Sequence, residues 1–125
     1  MNPALVAAAL LALAIGLAHS VLGERYILIR LFRRDLPKLH GTPWFTRQTL
    51  RFAWHLTTIA WWGFAIQLGF LARADTSADA GRVMLIVIAI VFGLSGLVTL
   101  VFSRGKHFAW IVFLAIAALI GSRIL

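Results

Sequence analysis

The chain has 125 residues, 62 % of them hydrophobic and 13 % charged, with a net charge of +8 and a mean hydropathy of +0.94. That much apolar surface exceeds what one small globule can bury, so an ordinary water-soluble domain is excluded and a bilayer is the expected solvent. The chain contains no cysteine, which excludes disulfides, thiolate-bound zinc, iron–sulfur clusters and a cysteine nucleophile.

Four apolar stretches follow one another as a single transmembrane domain over residues 1–125, with spans near 3–29, 47–72, 82–103 and 105–123. Each is expected to be a helix, because no strand-length alternation interrupts it. The first run, Pro3 to Gly23, holds no charge and one histidine, His19. Arg33-Arg34-Asp35-Leu36-Pro37-Lys38 and then His40-Gly41-Thr42-Pro43 lead to the second, with prolines breaking helix on both sides of His40, a solvated loop residue. The second run carries His55, Thr57, Thr58 and Gln67 but no formal charge from Phe52 to Ala72. Asp75 to Asp79 joins it to the third, with Ser77 or Asp79 as a helix cap, and Ser103-Arg104-Gly105-Lys106 makes a tight turn into the fourth. Connections this short predict an all-α, antiparallel, integral-membrane four-helix bundle.

Basic residues set the orientation. Arg25, Arg30, Arg33, Arg34, Lys38, Arg47, Arg51, Arg104 and Lys106 lie on the side of the first and third connections, against Arg73, Arg82 and Arg123 on the other. Nine against three places the first and third connections in the cytoplasm and both termini outside. These charges flank apolar spans, so they suit topology and lipid headgroups and not nucleic acid. The first span is expected to be retained, since no basic residue precedes it as in a signal peptide. Trp44, Phe45 and Trp110 suit the cytoplasmic interface.

The chemistry gathers near that interface. His19 lies five residues before Glu24, about 7.5 Å inside the charged boundary, and His55 four residues after Arg51, about 6 Å inside it. On antiparallel neighbours the two imidazoles share a depth where polar groups are costly and usually functional. Gly16 and Gly23 flank His19 on one helix face, leaving room for close helix packing or for a flat ligand. Arg51, Thr58 and Trp62 share the stripe of His55. This set predicts haem b, with His19 and His55 as axial ligands to the iron and Arg51 on a propionate. His107 is an interface residue first and a second haem or substrate contact after that. Electron transfer with a quinone or a redox partner protein is the matching function, and the chain is expected to form a homo-oligomer, with Gly93 and Gly96 facing a second copy.

Other classes compete. His19, His55, His107 and Glu24 are chemically sufficient for zinc, iron or nickel, although His19 and Glu24, five apart, do not share a face. A proton or metal-ion transport subunit would line its path with His19, Glu24, His55 and Arg51. Beyond His55, however, the outer half offers only Thr57, Thr58, Gln67, Ser95 and Thr99. A structural assembly subunit would use the same groups as a buried polar cluster, with His19 bonded to a hydroxyl and Glu24 paired with Arg51 or Arg25.

Two stretches, "HSVLGER" at 19–25 and "RFAWHLT" at 51–57, resemble those of an uncharacterised family of short bacterial four-span membrane proteins. The resemblance covers spans one and two and brings no activity with it. The layout is also similar to that of four-helix membrane cytochromes b, in which histidines on bundle helices hold haem. That similarity implies haem ligation; histidines at one face alone, as here, do not carry electrons across the membrane.

Overall fold

The computed structural model describes residues 1–38, 41–73 and 79–124 and contains, among them, four helices and no strand. The first, α1, runs Pro3–Leu31. Asn2 starts it, accepting the backbone N–H groups of Ala4 and Leu5 on its Oδ1 at 3.0 and 3.2 Å, and Pro3 takes the first helical position, where an N–H has no partner to lose. The helix is α-helical over Pro3–Gly23, opens into a π-helical turn at Glu24–Leu28, and closes with one short turn at Ile29–Leu31. The remaining helices are α2, Pro43–Leu71; α3, Asp79–Ser103; and α4, Ala109–Ile124.

The boundaries depart from expectation for local reasons. Helix α2 begins at Pro43, four residues early, because proline is pre-set for the first helical turn; the Thr46 hydroxyl then donates to the Pro37 carbonyl at 2.7 Å and ties the connection down. Helix α4 begins late, at Ala109. Arg104 (φ 51°) and Gly105 (φ 76°) are left-handed, the Gly105 N–H reaches the Leu100 carbonyl at 2.9 Å, and the Arg104 N–H reaches that of Val101 at 3.1 Å. This pair of bonds ends α3 as a Schellman motif. The His107 Nδ1 then accepts the Ala109 N–H at 3.3 Å and caps α4. Asp79 lies in the first turn of α3, where its charge complements the helix dipole; Ser77 and His40 fall outside the described residues.

Helices α1 and α3 are long and apolar enough to cross a membrane. Helix α2 matches α1 in length but dilutes its apolar character with His55, four threonines, Gln67 and four tryptophans. Helix α4 is apolar and has 16 residues, about 24 Å of rise.

The chain forms two compact units, residues 1–15 with 62–125, and residues 16–61. In the first, four helical segments each bury one stripe at three- and four-residue steps: Leu5, Ala8 and Ala12; Ala65, Leu68 and Ala72; Leu85, Ile88 and Phe92; Phe113, Ile116 and Ile120. Phe92 sits at the centre, 5.9 Å from the ring of Phe64 and edge-on to it at 69°, and 6.1 Å from that of Phe113, tilted at 43°; such pairs are worth about 0.5–1.5 kcal/mol each beyond their burial. The Asn2 N–H bonds the Ala72 carbonyl at 2.7 Å and the Trp62 indole donates to the Leu13 carbonyl at 3.2 Å, so the two segments run antiparallel. Helices α3 and α4 pack along their length. Gly96 gives way there to the Leu114 side chain, and Gly93 lies beside Ala117. These glycines therefore serve contact between α3 and α4.

Candidate functional site: a polar clasp between α1 and α2

The second unit holds the C-terminal half of α1 and the N-terminal half of α2. Ser20 and Glu24 stand one turn apart on α1; Arg51, His55 and Thr58 stand at steps of four and three on α2. Antiparallel packing faces these two polar stripes. Glu24 takes Arg51 in a two-point pair, Nη2 to Oε1 at 2.8 Å and Nε to Oε2 at 3.3 Å, and the Arg51 guanidinium also lies 5.0 Å over the Phe32 ring. The Nε2 of His55 stands 3.5 Å from Glu24 Oε2, too far for a strong hydrogen bond and an ion pair only when the imidazole carries its second proton.

Deeper along the helices the bonds have one direction. The Thr58 hydroxyl, buried, donates to the Gly16 carbonyl at 3.3 Å. With its single proton used, it accepts from Ser20 at 2.8 Å, and Ser20 in turn accepts from His55 Nδ1 at 2.8 Å. The chain therefore reads His55 Nδ1–H to Ser20 to Thr58 to the Gly16 carbonyl. Bonds aligned head to tail polarise one another and strengthen together. The tautomer that follows has its proton on Nδ1 and turns Nε2 toward Glu24.

His19 belongs to a different contact. Its ring stacks on Trp54 at 4.5 Å and 5°, and meets Trp61 edge-on at 4.9 Å. Its Nε2 bonds the Trp54 carbonyl at 3.2 Å, while the Trp54 indole N–H returns a bond to the His19 carbonyl at 3.0 Å. Gly23 completes this contact: a Cβ there would run into the Trp54 indole. Of the two uses expected for the missing side chain, close helix packing and a flat ligand, the space at Gly23 is taken by packing, with a tryptophan of the same unit.

The predicted site residues are accordingly divided. Gly16, His55 and Thr58 come together with Ser20 in the hydrogen-bonded chain, and Arg51 pairs with Glu24 beside it. His19 and Gly23 join Trp54. Trp62 belongs to the first unit, bonding Leu13, and His107 caps α4. Trp54 and Ser20 enter only with the structure, although the four-residue spacing of Ser20 and Glu24 against that of Arg51 and His55 was available as a signal. Among the described residues no group of three His, Asp or Glu side chains is placed to hold a metal ion.

Comparison with known protein families, with curated proteins and with solved structures finds no match to this chain. The class that the coordinates define is an all-helical protein with two helices long and apolar enough to cross a membrane. Its distinguishing feature is the hydrogen-bonded clasp between α1 and α2.

Proposed function

We propose that the chain is a four-span protein of a bacterial cytoplasmic membrane, with its first and third connections inside, and that it acts as a small assembly subunit held in register by the α1–α2 clasp. Large apolar side chains on the outside support the membrane reading: Leu17 is 56 % exposed, Ile59 62 %, Phe70 71 % and Val101 69 %. A monomer in water does not carry so continuous an apolar exterior. The hydroxyls of α3 agree with it, since Ser95 and Thr99 donate at 2.7 Å to the carbonyls of Val91 and Ser95, four residues back, as lipid or apolar packing requires. The same bonds leave the transport reading without a relay in α3. Helix α4, shorter than a bilayer core, crosses with local thinning of the membrane.

The observation that carries the assembly reading is that Ser20, Glu24, Arg51, His55 and Thr58, the polar side chains of the clasp, are spent on one another. A haem on both His19 and His55 would have to separate His19 from Trp54, and a propionate would compete with Glu24 for Arg51. One observation favours a second reading, haem b on His55 alone: Ser20 fixes Nδ1, the way iron- and zinc-bound histidines are oriented, and Nε2 would ligate once Glu24 moved from in front of it.

An absorption spectrum tests both. Protein purified in detergent from cells supplied with a haem precursor is oxidised in air and then reduced with dithionite. The assembly reading expects no Soret band, with Ser20→Ala and His55→Ala each folding and losing about 1–3 kcal/mol of stability as buried partners go unsatisfied. A Soret band with sharp reduced α and β bands, lost in His55→Ala, would replace it with the haem reading. Proton or metal-ion flux in proteoliposomes that disappears in Glu24→Gln would replace it with transport.

A further inference from the structure

The π-helical turn creates a second arrangement of charges. In an α-helix, residues five apart point about 140° away from each other. The turn at Glu24–Leu28 closes with the bond from the Ile29 N–H to the Glu24 carbonyl, five residues back, and so brings residues five apart toward one face. Arg25 and Arg30 are five apart. Both guanidiniums lie 5.6 Å from the centroid of the Tyr26 ring, within cation–π range. All three side chains are exposed, and the ion pairs among the described residues include neither arginine, Glu24 being held by Arg51 and faced by His55. Two like charges gathered on one ring repel unless an anion lies between them.

The anion is identified by position and shape. The clamp begins two residues after Gly23, the last residue of an uncharged α-helical run that starts at Pro3, which is headgroup depth for a membrane helix. Guanidinium groups offer planar forks that match phosphate oxygens in pairs. Ile27 and Ile29, on the same turn, are 47 % and 40 % exposed and add apolar surface beside the charges. We infer that Arg25, Tyr26 and Arg30 form a clamp for the phosphate of an anionic phospholipid, built by the π-helical turn. This inference rests on the membrane reading above and is independent of what the clasp does.

The test is binding of phosphatidylglycerol to the full chain in detergent, read by native mass spectrometry, beside phosphatidylcholine and inorganic phosphate. Phosphatidylglycerol is expected to bind, phosphatidylcholine to bind at least tenfold more weakly, and inorganic phosphate at the same concentration not to bind. Arg25→Lys with Arg30→Lys keeps the charge but removes both forks, and is expected to weaken phosphatidylglycerol about tenfold; Tyr26→Leu does the same by removing the platform. Arg33→Lys with Arg34→Lys is expected to leave it unchanged. Wild-type affinity in the Arg25/Arg30 lysine pair, an equal loss in the Arg33/Arg34 pair, or equal binding of phosphatidylcholine or inorganic phosphate would each overturn the clamp. Failure of the membrane reading shows separately, as release of the chain from membranes by alkaline carbonate.

Discussion

The clearest single-residue statement concerns Gly23. Its α-helical neighbours give it no conformational need to be glycine; the Trp54 indole occupies the space a side chain would take. Gly23→Ala should therefore cost about 1–3 kcal/mol by overpacking, measured by thermal or denaturant unfolding in detergent. In a Trp54→Leu background the same change should cost under about 0.5 kcal/mol, because the clash is gone. Equal costs in both backgrounds would mean that the glycine acts through the backbone. The sequence singled out Gly23 beside His19 but did not say what fills the gap. Composition records that a side chain is missing; only the antiparallel partner records which ring enters. His19 follows the same logic, since a histidine inside an apolar run announces a partner and the partner proved to be an indole and a backbone carbonyl.

Among the elements, the α3–α4 turn carries the sharpest prediction. Arg104 holds φ at 51°, a conformation that costs an L-residue roughly 1–2 kcal/mol, in the Schellman position that glycine normally takes. Arg104→Gly should raise stability by up to about 1 kcal/mol, the gain offset in part by the greater freedom of glycine in the unfolded chain. A fall in the unfolding midpoint would mean that the arginine's side chain contributes more than its backbone costs. The sequence located this turn through Gly105 but set the start of the fourth helix at 105. The chain needs three further residues to leave the left-handed pair and to bring His107 into its capping bond, so the helix shortens at that end. The π-helical turn in α1 has no comparable mark in the sequence.

At the scale of the molecule, the absence of native cysteine makes topology measurable with single introduced cysteines. A cysteine replacing Lys38 or Lys106 should react with an impermeant maleimide only after the membrane is opened from the cytoplasmic side. One replacing Arg73 should react in intact spheroplasts. The reverse pattern would invert the orientation, and labelling of all three in spheroplasts would end the membrane reading. The basis is the unequal sharing of arginine and lysine between the connections, which follows from composition alone.

What the sequence determined by itself was therefore the helical class and the approximate helices, because each depends on properties summed over some 20 residues that no single neighbour can reverse. It also located the polar cluster, since a histidine, a glutamate and an arginine stand out against an apolar run. Tertiary structure decided which of these groups meet. Ser20 rather than His19 faces His55, Glu24 takes Arg51, and Trp54 closes over Gly23, because contacts between helices depend on rotation about each axis as well as on depth. Depth can be counted along a sequence at a fixed rise per residue. Rotation is set only when two surfaces pack, and in this protein it separates His19 from the hydrogen-bonded chain through His55.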